Sequence, residues 1–165
     1  MKKVIITGVS GFIGKKLSTT LKNLGYDVVG LTRNPHNNKE LSDAGIRLLR
    51  WNATCPDIWF EEVEGAFAII NLAGENIASK RWSESQRKRI TESRINSIHA
   101  IQDTISLAED KPQLLIQASA IGYFGIKTPD LVDEKQPSGT GFLASVCRDI
   151  EAEVNKTEDT KVVIT

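Results

Sequence analysis

The sequence predicts an α/β protein built on a doubly wound parallel sheet, and three observations support this fold class. Short runs rich in Val, Ile and Leu recur along the chain. Longer segments with helical periodicity separate them, and such alternation is typical of parallel sheets covered by helices. The first run, KVIIT at Lys3–Thr7, shows no polar alternation, as expected for a strand buried on both faces. No repeat or linker divides the 165 residues, so we expect a single domain over 1–165.

The remaining elements follow in chain order. The first helix is predicted over residues 11–23, with Gly25 as its stop signal. Its expected apolar stripe comprises Phe12, Ile13, Leu17, Leu21 and Leu24. Five further strands are predicted at 26–33, 46–51, 66–74, 112–120 and 161–165.

Two more helices are predicted in the second half of the chain. The first opens before the fifth strand at Ser83, which fits a capping box with Gln86. Its stripe comprises Ile90, Arg94, Ile98, Ile101 and Ile105. The last helix covers 141–153, with Cys147 on its apolar face.

The composition limits the classes of partner and compartment. Lys plus Arg equals Asp plus Glu at 21 each, so no overall field favours nucleic acid or a membrane surface. Cys55 and Cys147 suggest no disulfide framework, and no apolar run approaches the roughly 18 residues of a spanning helix. His36 and His99 lack metal-ligand companions, so we expect no metal site. These features favour a cytoplasmic protein.

A glycine-rich loop, TGVSGFIG, joins the first strand to the first helix. Glycines at this spacing permit a tight turn, close approach of a pyrophosphate and close helix–sheet packing, and the helix N-terminus attracts anions. The strand and helix context favours a dinucleotide site over a glycine-rich turn without a ligand. The residues expected to hold the cofactor here are Gly8, Gly11, Phe12, Ile13 and Gly14.

The end of the second predicted strand indicates which dinucleotide binds. NAD sites usually carry an acidic residue there, about 20 residues after the glycines. This chain has LTRNP, with Arg33 and no carboxylate. Because an arginine suits a 2′-phosphate, the sequence favours NADP over NAD, although Arg33 could also be a solvated surface residue. Lys15 could add positive charge, but a surface role is favoured.

Several motifs together resemble a known family. TGVSGFIG, LTRNP, NLAGENI, SASAIGYFG and FLASVCRDIEAE occur in the order found in extended short-chain dehydrogenase/reductases, and are most similar to the epimerase-family, sugar-nucleotide-epimerase-like subgroup. The resemblance implies an NAD(P)-binding Rossmann fold and an NADP-type cofactor. It places Asn71, Leu72, Ala73 and Gly74 against the adenine and ribose. Family members are about twice this long, so their C-terminal substrate domain is expected to be absent.

The resemblance also locates the catalytic positions. Alignment with the usual Tyr-x-x-x-Lys helix places Leu143 at the tyrosine and Cys147 at the lysine, while Arg94 falls at an asparagine position and Ser119 matches the upstream serine. Tyr123 could supply the missing phenol. The alternatives stay open: Cys147 as apolar filler, Arg94 in a salt bridge, Ser119 in a turn and Tyr123 as a packed aromatic.

Two functions follow as hypotheses. The first is the NADP(H)-binding domain of an epimerase-like or reductase-like oxidoreductase, acting on a small molecule such as a nucleotide sugar or carbonyl compound. The alternative is a non-catalytic, regulatory dinucleotide-binding protein that lacks the Tyr/Lys pair. A third reading, an FAD- or other nucleotide-binding protein, has no motif of its own here. The edge strand of the sheet also suggests self-association into a homo-oligomer.

Overall fold

A computed structural model of the chain describes residues 1–53, 59–125 and 132–165, so Cys55 lies outside the described residues. The strands in these ranges are β1 (Lys3–Thr7), β2 (Asp27–Thr32), β3 (Arg47–Arg50), β4 (Ala68–Asn71), β5 (Leu114–Gln117) and β6 (Lys161–Ile164). The helices are α1 (Phe12–Asn23), α2 (Lys39–Asp43), α3 (Phe60–Val63), α4 (Glu84–Leu107) and α5 (Phe142–Val154). Two 3-10 turns lie at Pro35–Asn37 and Ile121–Phe124.

The six strands form one parallel sheet in the order β3-β2-β1-β4-β5-β6. This confirms the predicted fold class, and all six predicted strands are present. The strand order reverses between β1 and β4, which is where doubly wound sheets open a crevice for ligands. Thr7, Asn71 and Gln117 are register partners across β1, β4 and β5, so three polar side chains meet at the carboxyl edge.

Two apolar clusters lie on opposite faces of the sheet. One face packs against α3, α4 and α5 and buries Ile101, Val63 and Ile150 with strand residues such as Ile69. The other face packs against α1 and α2 and buries Leu41 with Ile6. Each fully buried aliphatic side chain stabilises the fold by about 1.5–3 kcal/mol. Together these side chains hold the strands, and therefore their carboxyl ends, in place.

The predicted stripe of α1 is partly wrong. Phe12 is 96% exposed and Ile13 is 63% exposed, whereas Gly14 and Ser18 are the buried residues of this helix. Successive helical residues are 100° apart, so Phe12 and Gly14 lie on nearly opposite sides of α1. Because the small side of the helix faces the sheet, the first-turn apolar side chains face outward. Leu24, just after the end of the helix, is also exposed.

The predicted capping box at the start of α4 is half correct. The Ser83 hydroxyl accepts a hydrogen bond from the Gln86 main-chain N–H at 3.3 Å. The Gln86 side chain, however, donates to Glu75 Oε1 at 3.3 Å instead of returning to Ser83. The predicted isoleucine stripe of α4 is buried, and Arg94 is only partly buried beside it.

Candidate functional site

A cavity of about 430 Å³ lies at the carboxyl ends of β1 to β4, where the strand order reverses. The glycine loop forms its floor, the ends of β2 and β3 form one side, and the segment after β4 with α4 forms the other. The lining residues are Gly8, Ser10, Gly11, Leu31, Thr32, Arg33, Trp51, Asn52, Ala53, Leu72, Ala73, Gly74, Glu75, Ser93 and Asn96.

Close contacts explain two glycines of the loop. Gly8 has φ +65°, and a Cβ there would lie 2.7 Å from the Leu72 carbonyl oxygen. A Cβ at Gly14 would lie 2.5 Å from the Gly8 carbonyl oxygen, so the helix can approach the loop only without a side chain. Among the described residues no side chain caps α1, and its first N–H groups lack helical partners. The loop therefore fits a pyrophosphate beside a helix N-terminus.

One end of the cavity carries the predicted phosphate-reading arginine. Arg33 is exposed, lines the cavity, and forms no hydrogen bond or ion pair with another described residue. Next to it, the Thr32 hydroxyl donates to Ser10 Oγ at 3.1 Å, which leaves the Ser10 hydrogen available to a ligand. Lys15 does not line the cavity, because its ammonium group pairs with Glu40 at 2.5 Å.

The side chain of Asn71 supports the cavity from beneath instead of lining it. Asn71 is 1% exposed, accepts from Thr7 Oγ1 at 2.6 Å and from the Ala73 N–H at 3.2 Å, and donates to Gln117 Oε1 at 2.7 Å and Ser97 Oγ at 3.1 Å. All of its polar atoms are thus occupied. The side chain is therefore not available to a ligand, and the predicted cofactor contact of Asn71 stays a prediction for its main chain.

The other predicted residues around the loop divide by position. Leu72, Ala73 and Gly74 line the cavity, as do Gly8 and Gly11. The side chains of Phe12 and Ile13 face solvent, so only their main chain at the start of α1 could serve an anion. Gly14 packs beneath the loop.

The predicted catalytic residues gather around the end of β5, outside the cavity lining. Ser119 Oγ donates to Glu151 Oε1 at 2.6 Å, and Cys147 Sγ lies 3.8 Å from the Ala120 carbonyl oxygen. Cys147 is 5% exposed, and this burial raises the pKa of its thiol. A neutral, buried thiol cannot replace the charge of a lysine.

Tyr123 and Arg94 have structural contacts. Tyr123 lies in the 3-10 turn after β5 and packs edge-on against Phe124, with ring centroids 5.3 Å apart. Arg94 Nη1 donates to the main-chain oxygens of Glu75 at 3.1 Å and Ile90 at 2.9 Å, and burial lowers the pKa of its guanidinium. Arg94 therefore joins α4 to the segment after β4 through carbonyl groups, and it forms no salt bridge, the alternative left open by the sequence, with another described residue.

Sequence reasoning missed several lining residues. Ser10, Thr32 and Glu75 sit beside predicted site residues, so their position in the motifs could have indicated them. Ser93 and Asn96 line the cavity only because α4 packs over β4, which spacing alone does not show. Glu151 was missed although it lies one helical turn after Cys147.

The described residues also bear on metal binding and on membrane insertion. Within residues 1–53, 59–125 and 132–165, no group of three or more His, Cys, Asp or Glu side chains could hold a metal ion. No helix in that same part of the chain is long and apolar enough to cross a membrane.

The sheet order, the glycine turn and the cavity at the reversal together define a dinucleotide-binding α/β domain of the Rossmann type. The chain belongs to the NAD dependent epimerase/dehydratase family, whose family model matches residues 4–144. It is thus an NAD(P)-binding domain of an epimerase-family protein in the short-chain dehydrogenase/reductase superfamily.

Individual relatives agree with this assignment. The chain is 35% identical to an epimerase family protein SDR39U1 homolog, chloroplastic, of Arabidopsis thaliana, covering 98% of this chain and 47% of the relative. It superposes on human epimerase family protein SDR39U1 solved with NADPH at TM-score 0.78, with 24% identity over 98% of this chain and 52% of that one. For Bacillus cereus UDP-glucuronic acid 4-epimerase, solved with UDP-glucuronic acid and NAD, the TM-score is 0.79, with 19% identity over 98% and 55%. The chain spans about half the length of these proteins.

Proposed function

We propose that this chain binds NADP(H) in preference to NAD(H) and forms the cofactor-binding part of an epimerase-like or reductase-like oxidoreductase. The observation that carries the preference is Arg33, an exposed guanidinium that forms no hydrogen bond or ion pair with another described residue, at the end of β2, where an NAD site would have a carboxylate. The Ser10 hydroxyl beside it adds a second donor for a phosphate oxygen. A relative solved with NADPH gives further support.

The residues fit the dinucleotide in a definite arrangement. The N–H groups of the first turn of α1 would hold the pyrophosphate, because no side chain among the described residues caps them, and Gly8 and Gly11 line the floor of the cavity beside them without side chains. Arg33 and Ser10 would hold the 2′-phosphate. When bound, the nicotinamide supplies hydride transfer to or from a substrate carbon.

For the substrate, we propose a small molecule with a hydroxyl or carbonyl group, such as a nucleotide sugar. Support comes from the relative solved with UDP-glucuronic acid. In this proposal Ser119, at the end of β5, orients a substrate oxygen. The chain matches only about half of such relatives, so residues that select the substrate can lie in the part without a counterpart here.

A second candidate is a non-catalytic, regulatory dinucleotide-binding protein. By the family resemblance, Leu143 and Cys147 fall at the positions of the usual tyrosine and lysine, and Cys147 is buried with a raised pKa. The Ser119 hydrogen is already donated to Glu151. If the tyrosine, lysine and serine positions all lack a group that can transfer a proton, the chain would bind the dinucleotide without catalysing a reaction. A cytoplasmic location, a single domain over 1–165 and homo-oligomer formation through the β6 edge stay predictions.

The test is a fluorescence titration of the purified chain with NADPH and with NADH. We expect NADPH to bind at least about 10-fold more tightly, because hydrogen bonds to charged groups contribute about 1.5–3 kcal/mol. Arg33→Ala should remove most of that difference and leave NADH affinity within about twofold. Arg89→Ala, an exposed arginine on α4, is the matched control. Equal losses for both ligands would show that Arg33 does not read the 2′-phosphate.

Binding and catalysis are then separated by activity. Oxidation of NADPH that depends on a carbonyl compound or a nucleotide sugar supports an enzyme. Tight NADPH binding without turnover across such panels supports the regulatory alternative.

A further inference from the structure

Among the described residues, two ionisable side chains line the cavity, and they lie on opposite sides of it. Arg33 follows β2 and Glu75 comes four residues after the end of β4, and β1 runs between these two strands. Adjacent strands are about 4.8 Å apart, so the two strand ends are separated by about 10 Å. The cavity therefore has a cationic side and an acidic side, with the glycine loop between them.

Helix α4 holds Glu75 by three hydrogen bonds. Its main-chain N–H donates to Ser93 Oγ at 2.9 Å, and its carbonyl oxygen accepts from Arg94 Nη1 at 3.1 Å. Its carboxylate Oε1 accepts from Nε2 of Gln86, which is only 2% exposed, at 3.3 Å. A side chain fixed at both its main chain and one carboxylate oxygen has little freedom to move away from the cavity.

The Arg94 guanidinium also packs against the preceding residue. A Cβ at Gly74 would lie 2.9 Å from Arg94 Cζ. The guanidinium thus supports residues 74 and 75 from behind while it binds the Glu75 carbonyl group. Arg94 is in this sense a positioning residue for the acidic side of the cavity.

The chemistry of a carboxylate restricts what can lie beside it. An ionised carboxylate only accepts hydrogen bonds, and phosphate oxygens close to it would repel it. A ribose diol instead offers two O–H donors, the same pairing by which acidic residues read ribose in dinucleotide sites. The phosphorylated adenosine half belongs with Arg33, on the far side of β1. The half near β4 then presents a ribose without a phosphate, an arrangement that differs from the adenine and ribose contact that the family resemblance implies for residues 71–74.

We propose that Glu75 accepts hydrogen bonds from the hydroxyl groups of the second ribose, the one bonded to nicotinamide, and that Arg94 positions it. This inference rests on the proposed binding of NADP(H). It assigns the acidic side of the cavity to a neutral diol and thereby fixes the direction in which the dinucleotide lies across the sheet.

The experiment compares NADPH with adenosine 2′,5′-bisphosphate, which lacks the second ribose, by isothermal titration calorimetry. Glu75→Gln should weaken NADPH about 10-fold and leave the bisphosphate within about twofold. Glu92→Gln, on an exposed part of α4, is the matched control and should change neither affinity. Equal weakening of both ligands, or tighter NADPH binding, would overturn the inference.

A double-mutant cycle tests the positioning role. Arg94→Met should weaken the binding of NADPH and not that of the bisphosphate. In a chain that already carries Glu75→Gln it should weaken NADPH binding little further, because both changes remove the same contact. Arg94→Lys, which keeps one donor, should restore part of the affinity. Additive losses that affect both ligands would mean a purely structural role for Arg94. If the unmodified chain binds neither ligand, the proposed function is wrong, and that outcome is distinct from any failure specific to Glu75.

Discussion

Replacement of Asn71 by alanine tests whether this residue builds the site or contacts the cofactor. Its side chain makes four hydrogen bonds to Thr7, Ala73, Ser97 and Gln117. After Asn71→Ala, Gln117 Oε1 and the Thr7 hydroxyl hydrogen lose their partners, and these residues are 3% and 0% exposed. Each buried polar group left without a partner costs about 1–3 kcal/mol, so for these two groups we expect a loss of about 2–6 kcal/mol in the free energy of unfolding.

The assay is urea unfolding followed by tryptophan fluorescence, at constant m-value. For a domain of this size such a loss also lowers Tm by about 4–24 °C. Asn96→Ala is the matched control, because Asn96 is an exposed asparagine that lines the cavity, and it should stay within about 0.5 kcal/mol. A loss under about 1 kcal/mol for Asn71→Ala, or equal losses for both variants, would refute the reasoning.

Three further predictions concern packing and titration. Gly14→Ala should destabilise the chain by about 1–3 kcal/mol in urea unfolding, because its methyl group meets main-chain atoms of Gly8; an unchanged midpoint would contradict the contact. Lys156 and His99 hold the pKa of the Glu153 carboxyl below its usual value, so this group stabilises the fold above its unfolded pKa and loses that effect as pH falls through its folded pKa. Glu153→Gln should therefore flatten the fall in stability below about pH 5, and parallel curves would disprove the linkage. In a Cys55→Ser background, Cys147 should react with iodoacetamide at pH 7 at least about 10-fold more slowly in the folded chain than in urea, since burial raises its pKa; comparable rates would exclude a buried thiol.

Much of the fold follows from local pattern, because continuous apolar runs and strand–helix alternation are decided by nearby residues. β1 has the predicted bounds, and the other strands are shorter than predicted by one to five residues. The face that α1 buries could not be predicted from the apolar pattern of Phe12 and Ile13, because the close approach of Gly14 to Gly8 determines which side of the helix faces the sheet. The short helices α2 and α3 carry too few residues to show a period.

The candidate site could be predicted where a motif fixes the main chain. The glycine loop and Arg33 line the cavity because strand ends and turns determine their place. The role of Asn71 depends on Thr7 and Gln117, which are 64 and 46 residues away, and only the sheet register brings them together. The same holds for Glu75, whose orientation depends on three residues of α4.

The hydrogen bond from Ser119 to Glu151 has a consequence for molecular recognition at the end of β5. The Ser119 hydroxyl donates its hydrogen to Glu151 Oε1, with 2.6 Å between the two oxygen atoms. A ligand at this strand end therefore meets a lone pair of the Ser119 oxygen. This lone pair can accept a hydrogen bond from an alcohol O–H, but it cannot form one with a carbonyl oxygen, which is itself only an acceptor. If a substrate binds at this strand end as proposed, the arrangement favours the alcohol form of the reacting carbon over its carbonyl form.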